Sequence, residues 1–491
     1  MSIKKSVFCV AAILSAVTFA GEFKAGFSRV DITAPLGSFM PGYYKDRRAK
    51  EVLDPLEINC VAFSDGEKIA IIQQIDTEAI SDTVASLMKD AIHKATGVDH
   101  DSMILHASHT HDGGYLVMKR VPGMDKVSSS QGDGVPENAS EIDVLYVKMA
   151  ISRAADAAVN AIADLKDAKL SIGRSEAKRI SFGRRYLMKD GKVRTNPGTN
   201  NPDIVKPAGN PADEEVQVLR IDREGAKPIA IINFQTHPDV VGGETLTADW
   251  PGLTRTVFEA ATFGETHAIV INGTQGDVNH CNVFPRPGEQ NGLKKDFDDA
   301  ERGYDHAKHM ANVLAGAALS VWMKCASVEA GKIKSGVENV KVPAQKAKDS
   351  DEKNLEWAKK VWAMHQAGRD AELPWKGMEL TTEVARAGRI CRLAGGPDFF
   401  EIPLTSVSIG KSVAFTGFPG EPFNDIGKIM KKRSPFNMTI LSCLTNGSRG
   451  YFPFSDAYVG GGYESATAPF GPSVADDLIE GGLKLLKRLY K

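Results

Sequence analysis

The stretch MILHASHTHDGGY, residues 103–115, carries the reading of this chain. It opens on an apolar run of strand type, and His106, His109 and His111 follow within six positions. Alternate side chains of a strand share a face, so a strand continued through this segment points His109 and His111 the same way. Two imidazoles on one face at the end of a buried strand form half of a transition-metal site, zinc first among the candidates. The alternative is a pair of hydrogen-bonded loop histidines. Donors at other strand ends decide between the two.

Such ends recur along the sequence. Apolar runs at 228–234, 267–271, 412–418 and 438–444 read as strands, the first of them buried on both faces. After them come Gln235-Thr236-His237-Pro238, the run from Asn272 through Asp277 and Asn279 to His280, Pro419-Gly420-Glu421, and the run from Thr445 to Tyr451. Ligand sites of α/β proteins form in the crevice outside the carboxyl ends of strands. Glycines in these runs let backbone approach closely there. Five strand ends bearing His, His, Asp, Glu and Tyr point to a site and not to packing.

Between these ends the pattern mixes strand and helix. Strands at 58–63 and 68–75 flank Asp65-Gly66, a hairpin signal. Helical spacing covers 83–95 and closes at Gly97, while Ser140 and Asp143 open an alanine-rich helix reaching about residue 165. Further strands are predicted at 170–172, 216–221 and 400–408, and helices at 252–261, 304–323 and 474–490. The charged stretch 346–372 is helical, has Trp357 and Trp362 spaced for one face, and reads as an insertion. Residues 122–136 read as a loop. The expectation is an α/β fold: one large domain, residues 21–491, with a central mixed sheet flanked by helices and its active site at strand carboxyl ends.

At 491 residues, 42% hydrophobic and 25% charged, the chain has the composition of a soluble globular protein. A formal net charge of −2 and dispersed basic residues argue against nucleic acid as a partner and leave a small molecule or a lipid as substrate. Lys4 and Lys5 precede the apolar stretch 7–19, and Thr18-Phe19-Ala20 has the form of a cleavage site. Residues 1–20 are therefore expected to be a signal peptide, and the protein to be exported, periplasmic or secreted. No later stretch has the uninterrupted apolar length of a membrane span. Cys60, Cys281, Cys325, Cys391 and Cys443 are widely spaced and odd in number, which suits neither a disulfide scaffold nor a thiolate zinc site.

Taken in order, His109-Thr110-His111, His237-Pro238, Gly276-Asp277-Val278, Gly420-Glu421, Gly450-Tyr451 and Tyr463-Glu464 carry a family likeness. The chain resembles the neutral ceramidases, zinc-dependent amidases that cleave the N-acyl bond of ceramide, over their catalytic domain from about Gly26 onward. The resemblance implies that His109, His237, Glu421 and Tyr451 bind one Zn2+ ion. It further implies that His111, Arg184 and Tyr463 line the reacting carbonyl. Two departures bear on the chemistry. The family's histidine motif usually continues Ser-Gly, where Asp112-Gly113 stands here. Its Gly-Asp-Val is usually followed by Ser-Pro-Asn, where this chain has Asn279-His280-Cys281, so Asn279 replaces the serine that assists at the amide.

Several residues have a second reading. Glu421 also suits a helix N-terminus, Tyr451 a packed core, and Arg185 the place assigned to Arg184. Asn279 is a substrate contact or a turn former. Asp277 fixes a loop, orients a ligand histidine or joins the metal. Gly460-Gly461-Gly462 reads as a flexible approach to Tyr463. The expected activity is that of an exported zinc amidohydrolase working through metal-activated water, with a ceramide-like lipid as substrate by resemblance. The alternatives are a zinc hydrolase of an ester, lactone or acylated sugar, and a non-catalytic binding protein.

Overall fold

Three strand–helix–strand units set the frame. The computed structural model describes residues 23–43, 46–118, 140–287, 289, 294–295, 301–346 and 352–491. In the first unit, strand Ile69–Ile75 leads through helix Asp82–Thr96 to strand Met103–Ala107. In the second, Ala226–Phe234 leads through helix Asp249–Ala261 to His267–Asn272. In the third, Val413–Gly417 leads through helix Asn424–Arg433 to Met438–Ser442. Each unit pairs its two strands in parallel. Both carboxyl ends of a unit therefore emerge at the same edge.

The first two units close the two ends of a nine-stranded sheet. Its order is His267–Asn272, Ala226–Phe234, Glu215–Arg223, Lys166–Glu176, Lys24–Asp31, Glu57–Ser64, Ile69–Ile75, Met103–Ala107, with Ala326–Val328 also on Lys166–Glu176. The third unit belongs to a four-stranded sheet, ordered Ile333–Pro343, Phe399–Ile409, Val413–Gly417, Met438–Ser442. The sheets share one core: Ile72, Ile104, Ile231 and Ile269 of the larger pack with Val407, Phe415 and Ile440 of the smaller. Helices cover the outer faces. Asp82–Thr96 and Glu141–Ala163 lie over one half of the large sheet, and Asp249–Ala261 and Tyr304–Trp322 over the other. Asn424–Arg433 and Val474–Tyr490 cover the small sheet. This is the predicted α/β fold with a mixed sheet flanked by helices, and it carries a second sheet that the sequence pattern did not separate.

Local chemistry accounts for the element ends. Ser81 caps the Asp82–Thr96 helix by accepting from Val84 N, and Gly97 closes it at φ +75°. Ser140 and Asp143 form the complete capping box of Glu141–Ala163. The stretch read as an insertion runs further than its pattern. Helix Glu352–Gln366 is followed by the turn Asp370–Glu372 and a second helix, Gly377–Leu393. Both lie between Ile333–Pro343 and Phe399–Ile409, which pair along their whole length. The two helices lock where Gly388 meets the Trp362 ring, 2.8 Å from where a Cβ would stand.

The expected signal peptide, residues 1–20, and the expected loop 122–136 lie outside the described residues. No helix among the described residues is long and apolar enough to cross a membrane. Cys60, Cys281, Cys325, Cys391 and Cys443 form no disulfide among them.

Candidate metal centre

The Met103–Ala107 strand stops short of its histidines. His109 has φ +74°, a left-handed conformation that side chains with a Cβ rarely take. A continued strand would hold residues two apart at a spacing of about 6.6 Å. The turn instead draws the two rings to a 4.7 Å centroid separation, with His109 and His111 Nε2 atoms 3.3 Å apart. The two histidines meet as expected, but through a turn and not through strand alternation.

Backbone carbonyls fix the imidazoles. His109 Nδ1 lies 2.8 Å from the Glu78 carbonyl, and His237 Nδ1 lies 2.9 Å from that of Gln275. With Nδ1–H donating, each Nε2 lone pair faces inward. Both converge on Glu421 Oε2, at 3.3 Å from His109 and 3.1 Å from His237. The Tyr451 hydroxyl stands 3.5 Å from His237 Nε2. Four donors bound to one tetrahedral zinc at about 2.0–2.2 Å lie about 3.3–3.6 Å from one another. The His109–Glu421 and His237–Tyr451 spacings fall in that range and the His237–Glu421 spacing just under it, and the donor set of two imidazoles, a carboxylate and a phenol fits the ion. The ring nitrogens of His109, His111 and His237 also lie within 4.8 Å of one another, which puts His111 within reach of the same point.

Two of the donors are joined by backbone. Glu421–Pro422 pairs in parallel with Tyr451–Phe452. The approach needs glycine: a Cβ on Gly276 would fall 2.6 Å from the Glu421 carbonyl, and one on Gly420 would fall 2.4 Å from that of Gly450.

All four donors are buried. Burial opposes charge on His109, but the Glu421 carboxylate outweighs it and raises the histidine's pKa. Burial, then the Arg184 charge, lowers His237 to about 4. Burial pushes Glu421 up, and the two imidazoles more than reverse this, holding it well below the usual carboxylate range. Burial and then Glu421 raise the Tyr451 phenol well above its ordinary value. A buried carboxylate converging with two imidazole nitrogens and an un-ionised phenol is a cavity arranged for a cation.

Two solved structures share this architecture. The crystal structure of neutral ceramidase from Pseudomonas aeruginosa aligns over 95% of this chain and 75% of its own, with a TM-score of 0.67 at 15% identity. A structure described as ceramidase complexed with C2 aligns over 95% of this chain and 76% of its own, with a TM-score of 0.66 at 15% identity. The fold is that of neutral ceramidase. No family profile and no curated protein matches the sequence. At 15% identity the likeness to the ceramidases resides in the path of the backbone.

Within the ceramidase fold the remaining candidates stand as follows. Arg184 is buried, and its Nη2 donates to the Tyr451 hydroxyl at 3.2 Å and the Gly276 carbonyl at 2.8 Å. Arg185 turns to the carbonyls of Ala208 at 3.2 Å and Gly461 at 3.5 Å, so Arg184 is the arginine that reaches the donors. The Tyr463 ring meets the Tyr451 ring edge-on at 5.7 Å. Asn279 donates to Asn196 Oδ1 at 3.0 Å and accepts from Cys281 N at 3.0 Å, so it shapes a turn. Asp277 accepts from Asn424 N at 2.7 Å, tying its loop to the helix Asn424–Arg433, and burial raises its pKa to about 6.

Sequence reading gave no role to the acids behind these residues. Glu464 takes Arg184 Nε at 2.7 Å and Thr195 at 3.0 Å. Asp239 lies 3.9 Å from His111 Nδ1 and is held by Arg302 at 2.7 Å and by Tyr43. Asp112 accepts from Arg47 at 3.1 Å and from Gly242 N at 2.8 Å, and Arg47 also grips the His111 carbonyl. Glu464 and Asp239 each sit one or two positions from a candidate residue, and that adjacency was the available signal.

Proposed function

We propose that this chain is an exported zinc-dependent hydrolase that cleaves an N-acyl amide. The reading rests on one observation: donors on three separate strand ends converge at zinc-like spacings, with both ligand histidines turned inward by backbone carbonyls. Zinc bound there lowers the pKa of a water to about 7 and polarises a carbonyl.

The chain's own residues do the rest. His109, His237, Glu421 and Tyr451 hold the ion, and Arg184, anchored by Glu464, orients Tyr451. His111 and Tyr463 are assigned to the carbonyl oxygen as charge develops on it, where losing one donor typically costs about 100-fold or more. Burial keeps His111 neutral by lowering its pKa well below the ordinary value. Hydrolysis breaks the C–N bond: the water oxygen joins the acyl carbon and a proton joins the departing nitrogen.

The names of the two solved neighbours make ceramide the first substrate to test. Asn279 in the serine's place, already engaged with Asn196, favours a second reading in which the bond is that of an ester, lactone or acylated sugar. The test sets zinc-loaded protein against labelled ceramide, a short N-acyl amide, a short ester and an N-acetyl sugar. Amide cleavage abolished by a chelator and restored by zinc is the expected result. Turnover of esters alone moves the assignment to the second reading. Stoichiometric zinc with no turnover makes the protein a binder, and absence of zinc removes the metal reading.

A further inference from the structure

A cleft of about 620 Å3 opens beside Tyr463. Its inner end is lined by residues that touch the candidate site: Tyr463 packs edge-on against Tyr451, Thr195 is bonded to Glu464, and Asn196 is bonded to Asn279. One wall is the strand Val193–Thr195 and the other is the first turns of helix Gly377–Leu393, contributed by the helical excursion.

Pockets of this size are ordinarily lined by apolar and aromatic side chains with a few polar groups. This one is not. Its charged lining is Lys192, Arg194, Lys376 and Arg386 against Glu379 and Glu383, and with Asp190, which pairs with Arg194, the surplus is one positive charge. Arg386 is paired with Glu383 at 2.8 Å, and Arg194 with Asp190 at 2.8 Å. Lys192 and Lys376 are exposed and join no salt bridge among the described residues. The helix beginning at Gly377 adds its positive end on the same side, with no side-chain cap from Lys376. An acyl chain or sphingoid tail laid here would strip water from ammonium and carboxylate groups and return nothing for it. A carboxylate would find the Lys376 ammonium and the positive end of the Gly377–Leu393 helix on one wall and the Lys192 ammonium on the other.

We propose that this cleft binds the part of the substrate next to the scissile amide, and that this part is hydrophilic and carries a carboxylate. The preferred substrate is then a short, water-soluble, anionic N-acyl amide in place of a long-chain lipid. The inference rests on the proposed amide hydrolysis for its reaction, but its binding half is separable.

Three probes test it: N-acetylglutamate, its neutral diamide, and ceramide in mixed micelles. Zinc-loaded protein is expected to favour N-acetylglutamate over the diamide by about 10-fold or more in kcat/KM at low salt. The preference should shrink as NaCl rises from about 25 mM to about 250 mM. Lys376→Glu should remove the preference, with kcat/KM for N-acetylglutamate falling to that for the diamide or below. Equal rates on the two amides, faster ceramide turnover, or indifference to Lys376→Glu would overturn it. Calorimetric titration of zinc-depleted protein reads binding alone. N-acetylglutamate bound more tightly than the diamide, and lost in Lys376→Glu, upholds the cleft even where no amide is cleaved, and the failure is then that of the hydrolase reading. Equal binding of both probes overturns the cleft.

Discussion

His106 and His109 stand three positions apart and are held to opposite ends. Both nitrogens of His106 are engaged, Nδ1 with the Cys443 carbonyl at 2.8 Å and Nε2 accepting from Asn272 N at 3.0 Å. Burial lowers its pKa to about 4. The unfolded chain therefore takes up this proton first as pH falls, and stability is lost between about 6.5 and about 4. The loss from His106 alone is on the order of 3 kcal/mol. Urea midpoints should fall across that window, and less steeply in His106→Gln. His109 instead keeps one nitrogen for the centre. His109→Ala or Glu421→Gln should weaken zinc binding by more than about 100-fold in equilibrium dialysis. Tyr463→Phe should retain full zinc and lose about 100-fold in kcat. Retained turnover in Tyr463→Phe would remove that residue from the carbonyl.

At the scale of elements, what the sequence revealed follows from burial. Ala226–Phe234 and Val474–Tyr490 were legible because their buried positions are written as an unbroken run in one and a helical stripe in the other. Lys24–Asp31 and Ile333–Pro343 were not, since basic residues, serine and glycine interrupt them and much of Ile333–Pro343 is only partly buried. Helix Gly377–Leu393 hid behind threonine, glycine and scattered charge. The converging residues were legible because each follows a buried apolar strand, and the family resemblance named them as ligands. Glu464 and Asp239 were not, because their work is to hold other side chains and nothing in a linear pattern marks such a partner. The short pairing of Glu421–Pro422 with Tyr451–Phe452 gives a prediction of its own. Gly420→Ala places a Cβ 2.4 Å from the Gly450 carbonyl and 2.7 Å from the Phe452 ring. It should cost about 1–3 kcal/mol and weaken zinc binding, as read by thermal unfolding with and without metal.

At the scale of the molecule, the metal centre spans both sheets. His109 and His237 leave opposite ends of the larger one, and Glu421 and Tyr451 follow strands of the smaller. An ion bound by all four stabilises the native arrangement of the two layers. Zinc at 100 times its dissociation constant should add about 2.7 kcal/mol, and a chelator should lower Tm accordingly. An unchanged Tm would mean that the native protein does not bind the ion. The helical excursion has a different relation to the whole. It leaves and re-enters through Ile333–Pro343 and Phe399–Ile409, neighbours hydrogen-bonded along all eleven positions. A segment whose two ends are pinned side by side can grow, shrink or be exchanged without shifting the register of anything beneath it. One wall of the cleft beside Tyr463 can thus be rebuilt while the strand ends that bring His109, His237 and Glu421 together stay where they are.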